Sequence, residues 1–467
     1  MHLFDKDVYS NRRKKLKEEM KTGVLLFIGN QEASFNYPAN TYAFRQDSNF
    51  LYYFGLDLYN LVGVMDVDAD KDIIFGNDVE IDDIIWMGPQ PTMKELSAKV
   101  GVINSASLAE LDEYIKKVIS EGRKVHFAPP YRGEHQLQLS SLLGINPCKI
   151  ADYVSVDLIK AIVKQREIKE DVEIREIEKA VDIAYEMHTT SMRMAAKAGQ
   201  VEREIAGTIE GISLAKGGPV SFPIILSVHG ETLHNHHHDN VIEVGQMMLT
   251  DAGAETTMHY ASDITRTVPV GGKFNDRQKA IYQAVLDANV KAIDAVKPGI
   301  EYREVHFLAA KVLVEGLIKT GIMKGDAQKA VNAEAHTLFM PHGLGHMMGL
   351  DVHDMEGLGE NYVGYDDKTT RSKNFGTAYL RLGKELKPGF VLTVEPGCYF
   401  IPELIDQWKA ENKHAEFINY DVLETYKDFG GIRIEDDVLV TETGYRVLGK
   451  PIPKTIAEVE ATMANPF

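Results

Sequence analysis

Four acidic side chains stand where folded strands would hide them. In QMMLTD, Asp251 shares a period-2 face with Met247 and Leu249, and in YASDITRT, Asp263 shares one with Thr265. In VLTVEPG, Glu395 follows Val391 and Thr393 at the same spacing, and in GGIRIEDD, Glu435 follows Arg433. An unpaired buried carboxylate is costly, so each needs a reason. Taken singly, each has a plain one: a salt bridge to some Lys or Arg. Taken with the histidine-rich HGLGHMMGLDVHD, four carboxylates and one neutral imidazole match the charge of two divalent cations, which favours a shared metal pair. Eleven of the sixteen histidines fall between His229 and His353, placing the imidazoles in the same stretch as the first two carboxylates. His342 and His346 are four apart, as in the helical HExxH zinc motif, but Gly343 and Gly345 interrupt a helix and no Glu follows the first His. If the segment is extended, His342, Leu344 and His346 share a side, and either histidine could ligate.

A chain of 467 residues must supply the elements that hold these groups, and its length points to two or three domains. With 44% hydrophobic and 26% charged residues it is globular in composition. Up to about residue 165 the pattern predicts a charged leading helix and short strands around Val24–Ile28, 61–67, 72–75 and 83–87, a small α/β domain. Then Ile174, Ile177, Val181 and Ala184 recur at helical spacing until Gly199. The boundary is placed near residue 165, giving domains 1–165 and 166–467. In the second part Asn275 and Gln278 form a capping box, Ile281, Val285, Ala288, Ala292 and Val296 make the stripe, and Pro298-Gly299 stop the helix.

The bulk numbers exclude several functions. A formal net charge of -18 argues against nucleic-acid binding. Cys148 and Cys398 form no CxxC, so neither a disulfide framework nor a thiolate cage is expected, and a reducing compartment fits. The first twenty residues lack the apolar run of a signal peptide, and runs such as Val24–Ile28 are too short to span a bilayer. A soluble, cytoplasmic protein without membrane partners is expected.

In their order, DAG…SDITRT, HGLGHMMGLDVHD, TVEPG and GIRIEDD resemble the five-ligand set of the pita-bread dinuclear metallopeptidases, and specifically the Xaa-Pro aminopeptidase and prolidase branch. FRQDSNFLYYFGL resembles a stretch of the amino-terminal domain found in aminopeptidase P and eukaryotic prolidase. The resemblance implies an α/β (α+β) fold: a small creatinase-like amino-terminal domain, then a pita-bread domain with a curved antiparallel sheet. It implies Asp251, Asp263, His346, Glu395 and Glu435 as metal ligands, with Asp263 and Glu435 bridging both ions. It places His234, His342 and His353 against the substrate, with Arg433 and Thr265 behind the ligands. Asp251 and Asp263 are twelve apart, one more than usual by this comparison, so their hairpin should hold a bulge or a longer turn. The stretch from Cys398 to Gly430, with helical character around IPELIDQWKAENKHAEF, resembles eukaryotic-type prolidase.

The chemistry implied is hydrolysis of the Xaa-Pro bond at the amino terminus of proline-containing peptides. Hard ligands with one imidazole suit Mn²⁺, with Co²⁺ or Zn²⁺ able to occupy the site. Two ions would share an activated water, Glu395 would move its proton, His353 would stabilise the oxyanion and His342 would flank the proline ring. Arg381 aligns with the prolidase arginine that takes the substrate carboxylate, so a dipeptidase is the alternative reading, unless Arg381 is simply a surface arginine on a loop. A non-catalytic pita-bread binding protein is the remote one. The run His236-His237-His238 reads as a polar loop at the site mouth, and Cys398 as a small apolar filler. Family members commonly form homodimers or higher homo-oligomers.

Overall fold

The computed structural model describes residues 2–466. It divides into two compact units. One comprises the chain up to Arg166 together with Glu356–Tyr362, and the other Glu167–Met355 with the chain from Val363 onward.

In the amino-terminal unit Val24–Ile28 is a strand buried at every position. It pairs antiparallel with Val62–Asp66, which pairs antiparallel with Lys71–Phe75, while Asn104–Ala106 and Val125–His126 add parallel edges. Val24, Leu26 and Ile28 pack with Ile115 and Leu139 of the helices Ala109–Ser120 and Gly133–Leu143. On the other face Phe27 meets Tyr53 and Phe54 of the helix Ser48–Phe54. Gly63 makes this approach possible, since a Cβ there would stand 2.2 Å from the Phe54 ring. Two buried charges in this unit have close partners. Arg13 donates to Asp72 at 2.9 Å and to the carbonyls of Tyr53 and Val100 at 2.8 and 3.0 Å, and Asp66 is bonded by Arg123 and Tyr114.

One expected strand is a helix. The segment around 83–87 lies in the helix Ile81–Met87, which buries none of its residues. Apolar residues in IDDIIWM do not separate a short helix from a strand. The reciprocal cap does, with Asp83 Oδ2 accepting from the Glu80 N–H at 3.0 Å.

In the second unit the long helix runs Asp171–Ala195 and buries Ile177, Val181 and Ala184. The capped helix runs Asp276–Ala295, with Asn275 and Gln278 exchanging hydrogen bonds of 2.9 Å. Its interior is useful: Asn289 Nδ2 donates to the carbonyls of Val394 and Ile434 at 3.0 and 3.2 Å, tying together the two segments that end in acidic residues. The sheets are open and antiparallel. Ile225–Ser227, Met247–Asp251 and Thr265–Pro269 form one, and Val391–Val394, Asp436–Val440 and Tyr445–Val447 another. Gly397–Tyr399 pairs with Gly431–Arg433. Thr267 Oγ1 donates to Arg433 O and accepts from Arg433 N at 3.0 and 3.1 Å, so the first sheet is stitched to this ribbon. The connection from Asp251 to Asp263 turns through Thr256–Tyr260, closed by Thr256 N to Tyr260 O at 2.9 Å, with His259 at φ +65°. Between Cys398 and Gly430 stand the helices Pro402–Ala410 and Tyr420–Leu423. Among the described residues no helix is long and apolar enough to cross a membrane.

Candidate metal centre

The first aspartate ends a strand, Asp251 lying opposite Thr265 in the ladder. Asp263 sits two residues before Thr265, where Ala252 N still bonds Ile264 O at 3.0 Å. The histidine segment follows neither helix nor regular strand, but it is laid along Val391–Glu395 by Met348 N to Val391 O, Thr393 N to His346 O and Glu395 N to Leu344 O, at 3.0, 3.0 and 2.8 Å. Gly345 permits this, because a Cβ there would fall 2.1 Å from Thr393 O. Glu435 is held by its own N–H on Thr265 O at 3.1 Å, and its Oε2 accepts from Thr265 Oγ1 at 2.6 Å.

These placements bring Asp251, Asp263, His346, Glu395 and Glu435 to the floor of one cavity of about 630 Å³. Asp263, His346 and Glu435 offer ligand atoms all within 4.8 Å of one another. His346 Nε2 lies 3.3 Å from Asp263 Oδ2 and 3.7 Å from Glu395 Oε1. Its Nδ1–H donates to Met347 O at 3.0 Å, which leaves Nε2 facing the carboxylate oxygens and placed to ligate a metal. Arg433 offsets part of the charge, bonding Asp251 Oδ2 through Nη2 and Thr265 Oγ1 through Nε, the latter at 3.0 Å.

The excess is visible in the titration of the group. Burial, followed by the neighbouring carboxylates, holds Asp263 and Glu435 well above the ordinary carboxylate range, and burial raises Glu395. Asp251 Oδ1 and Asp263 Oδ1 are buried with no hydrogen-bond partner among the described residues. Orphaned buried oxygens beside an imidazole nitrogen fit bound divalent cations, and an oxygen-rich set with one nitrogen suits hard ones.

The wall above this floor is histidine-rich. His234, His342 and His353 line the cavity, and the His353 ring centroid is 4.2 Å from that of His346. His342 is fully engaged: Nδ1–H donates to Gly343 O at 2.7 Å, and Nε2 lies 2.9 Å from the Tyr399 hydroxyl, which takes a 2.8 Å bond from Arg433 Nη1. The order Arg433 to Tyr399 to His342 Nε2 fixes a neutral tautomer, and burial pushes the imidazole down to about 3. His342 therefore presents a ring face and not a proton. Arg381 lines the same cavity, with Phe222 and Tyr379. Of the His236–His238 run, His236 lines the cavity, His237 is exposed and His238 lies 3.0 Å from Leu226 O. Cys398 is buried.

Two participants escape the sequence reading. Tyr399 links Arg433 to His342 and carries no local signal beyond standing four residues after Glu395. Asp437 is buried opposite Thr393, with Oδ2 accepting the Asp263 N–H at 3.0 Å. Its two-residue spacing from Glu435 was the available signal.

Fold and site together define a metallopeptidase, a metal-dependent hydrolase of peptide bonds. The chain belongs to metallopeptidase family M24, whose model matches residues 175–442, and residues 9–126 match the aminopeptidase P amino-terminal domain. It is 33% identical over 468 residues to the Xaa-Pro dipeptidase of Homo sapiens, covering 96% of this chain and 90% of that one. It is 34% identical to a Phaeosphaeria nodorum protein named "Probable Xaa-Pro aminopeptidase PEPP", covering 90% and 88%. Among solved structures, a variant of Escherichia coli aminopeptidase P in complex with substrate superposes with a TM-score of 0.81 at 28% identity, covering 99% of both chains.

Proposed function

We propose that the chain is an Xaa-Pro aminopeptidase, hydrolysing the bond before proline at the amino terminus of peptides, with Asp251, Asp263, His346, Glu395 and Glu435 holding two divalent ions, Mn²⁺ being the best match to the donors. The observation that carries this reading is the cavity floored by those five groups and walled by His234, His342 and His353. When bound, the ions supply Lewis-acid polarisation and an acidified water. Glu395, whose affinity for a proton burial has raised, takes up a proton on the carboxylate and returns it to the leaving nitrogen. That nitrogen belongs to a tertiary amide with no N–H to recognise, so the ring itself must be bound. The neutral, locked His342 gives it an uncharged wall. His353 donates to the carbonyl oxygen as charge develops there, a contribution of a few kcal/mol for one donor. Arg433 orients Asp251 and Thr265 orients Glu435, fixing the ligands from behind.

A second reading, prolidase, draws on Arg381 in the cavity wall and on the dipeptidase relatives. Its planar fork would capture the substrate's terminal carboxylate. Assay of Xaa-Pro against Xaa-Pro-Xaa with Mn²⁺ separates the two. Cleavage of the dipeptide alone overturns the aminopeptidase reading, and cleavage of both with Arg381→Ala raising KM only for the dipeptide supports it. A reducing, cytoplasmic setting accords with the exposed, unpaired Cys148. Association into a homodimer follows from the family resemblance and is checked by sedimentation.

A further inference from the structure

A buried ion pair stands behind His353. Lys169 Nζ lies 2.8 Å from Asp354 Oδ2, and both side chains are 1% exposed. Two desolvated charges contribute little net stability compared with a well-packed apolar pair, so the pair calls for another explanation. Its contacts supply one. Asp354 Oδ1 accepts from Asp351 N at 3.3 Å, closing the turn whose third residue is His353, and Asp354 N donates to Met347 O at 2.9 Å, next to His346. Lys169 is itself fixed through its N–H on Gly389 O at 2.8 Å. The pair is packed onto bare backbone: a Cβ at Gly349 would meet Asp354 Oδ2 at 2.8 Å and Lys169 Cε at 2.9 Å.

We propose that Lys169, acting through Asp354, is a positioning residue that sets where the His353 imidazole stands over the metal floor. The inference rests on the reading that His353 faces the substrate. Lys169 touches no reacting atom. It fixes the residue following His353 from a point 185 positions away in the chain, and a displacement on the order of 1 Å at such a group lowers turnover by up to about 100-fold.

The test uses the full chain loaded with Mn²⁺. Lys169→Met with Asp354→Leu replaces the pair by apolar groups and removes both charges together. Gly349→Ala keeps both charges and presses on the pair, and serves if the double variant does not fold. For each folded variant, melting temperature, metal content, kcat and KM on an Xaa-Pro tripeptide are measured beside wild type and His353→Ala. The expected result is a fall in kcat of about 10-fold or more with KM and metal content near wild type. Wild-type kcat in a folded variant, with His353→Ala impaired, overturns the positioning role. Wild-type turnover by His353→Ala overturns the reading of His353 and the proposal with it.

Discussion

Two groups of buried charge, one in each unit, are handled in opposite ways. In the amino-terminal unit Arg13 is met by one carboxylate and backbone carbonyls, and Asp66 by Arg123 and Tyr114. In the M24 unit four carboxylates crowd one cavity, two of them with an oxygen orphaned among the described residues, and Arg433 bonds Asp251 among them. A closed account of charge needs no external partner, and an open one marks a place for an external cation. Asp436, beside Glu435, shows that the distinction is local. Arg266 and Lys454 hold it at 2.7 and 2.6 Å and pull it below the ordinary range, overcoming its burial.

Breaking the open site should abolish function while sparing the fold. Asp263→Asn or Glu435→Gln is expected to lower kcat/KM on the order of 1,000-fold or more, with metal content reduced by elemental analysis and with the Mn²⁺-dependent rise in melting temperature lost. Equal metal content and activity would show that the open account has another meaning. Breaking the closed site should do the reverse: Arg13→Met is expected to destabilise by about 3 kcal/mol in denaturant titration and to leave kcat of the folded fraction unchanged. His353→Ala sharpens the contrast inside the M24 unit, because turnover should fall about 100-fold while both metals stay, and loss of both would show the role misassigned.

The last prediction concerns pH. His306 and His336 are buried with no hydrogen-bond partner on either ring nitrogen among the described residues, and burial pushes both down to about 3 from an ordinary 6.5. The folded state then binds fewer protons than the unfolded one. Their contribution is complete above about pH 6.5 and is lost as pH falls toward 3, at on the order of 1 kcal/mol per pH unit for each ring. Replacing both with Leu should flatten the acid limb of the stability curve, and an unchanged slope would mean that the rings are not the titrating groups.

The sequence exposes what depends on short range. Period-2 spacing placed Asp251 beside Met247 and Leu249, and the cap at Asn275 located the start of its helix. It failed at residues 83–87, where a seven-residue apolar-acidic run fits two periodicities and an exposed helix leaves no burial pattern to choose between them. It left His342 and His346 undecided because the difference lies in hydrogen bonds: one ring has both nitrogens bonded away from the carboxylates, the other turns Nε2 toward them. Lys169 with Asp354, and Asp437 with Asp263, join residues 185 and 174 apart, a distance over which periodicity carries nothing.

The contact at Gly345 has a consequence for tolerance to mutation. Because backbone lies directly on backbone there, the gap between the His346 imidazole and the Glu395 carboxylate is measured in peptide hydrogen bonds and not in side-chain volumes. Repacking of neighbouring apolar residues can shift the whole ladder without changing the gauge, whereas one methyl group at Gly345 would splay it.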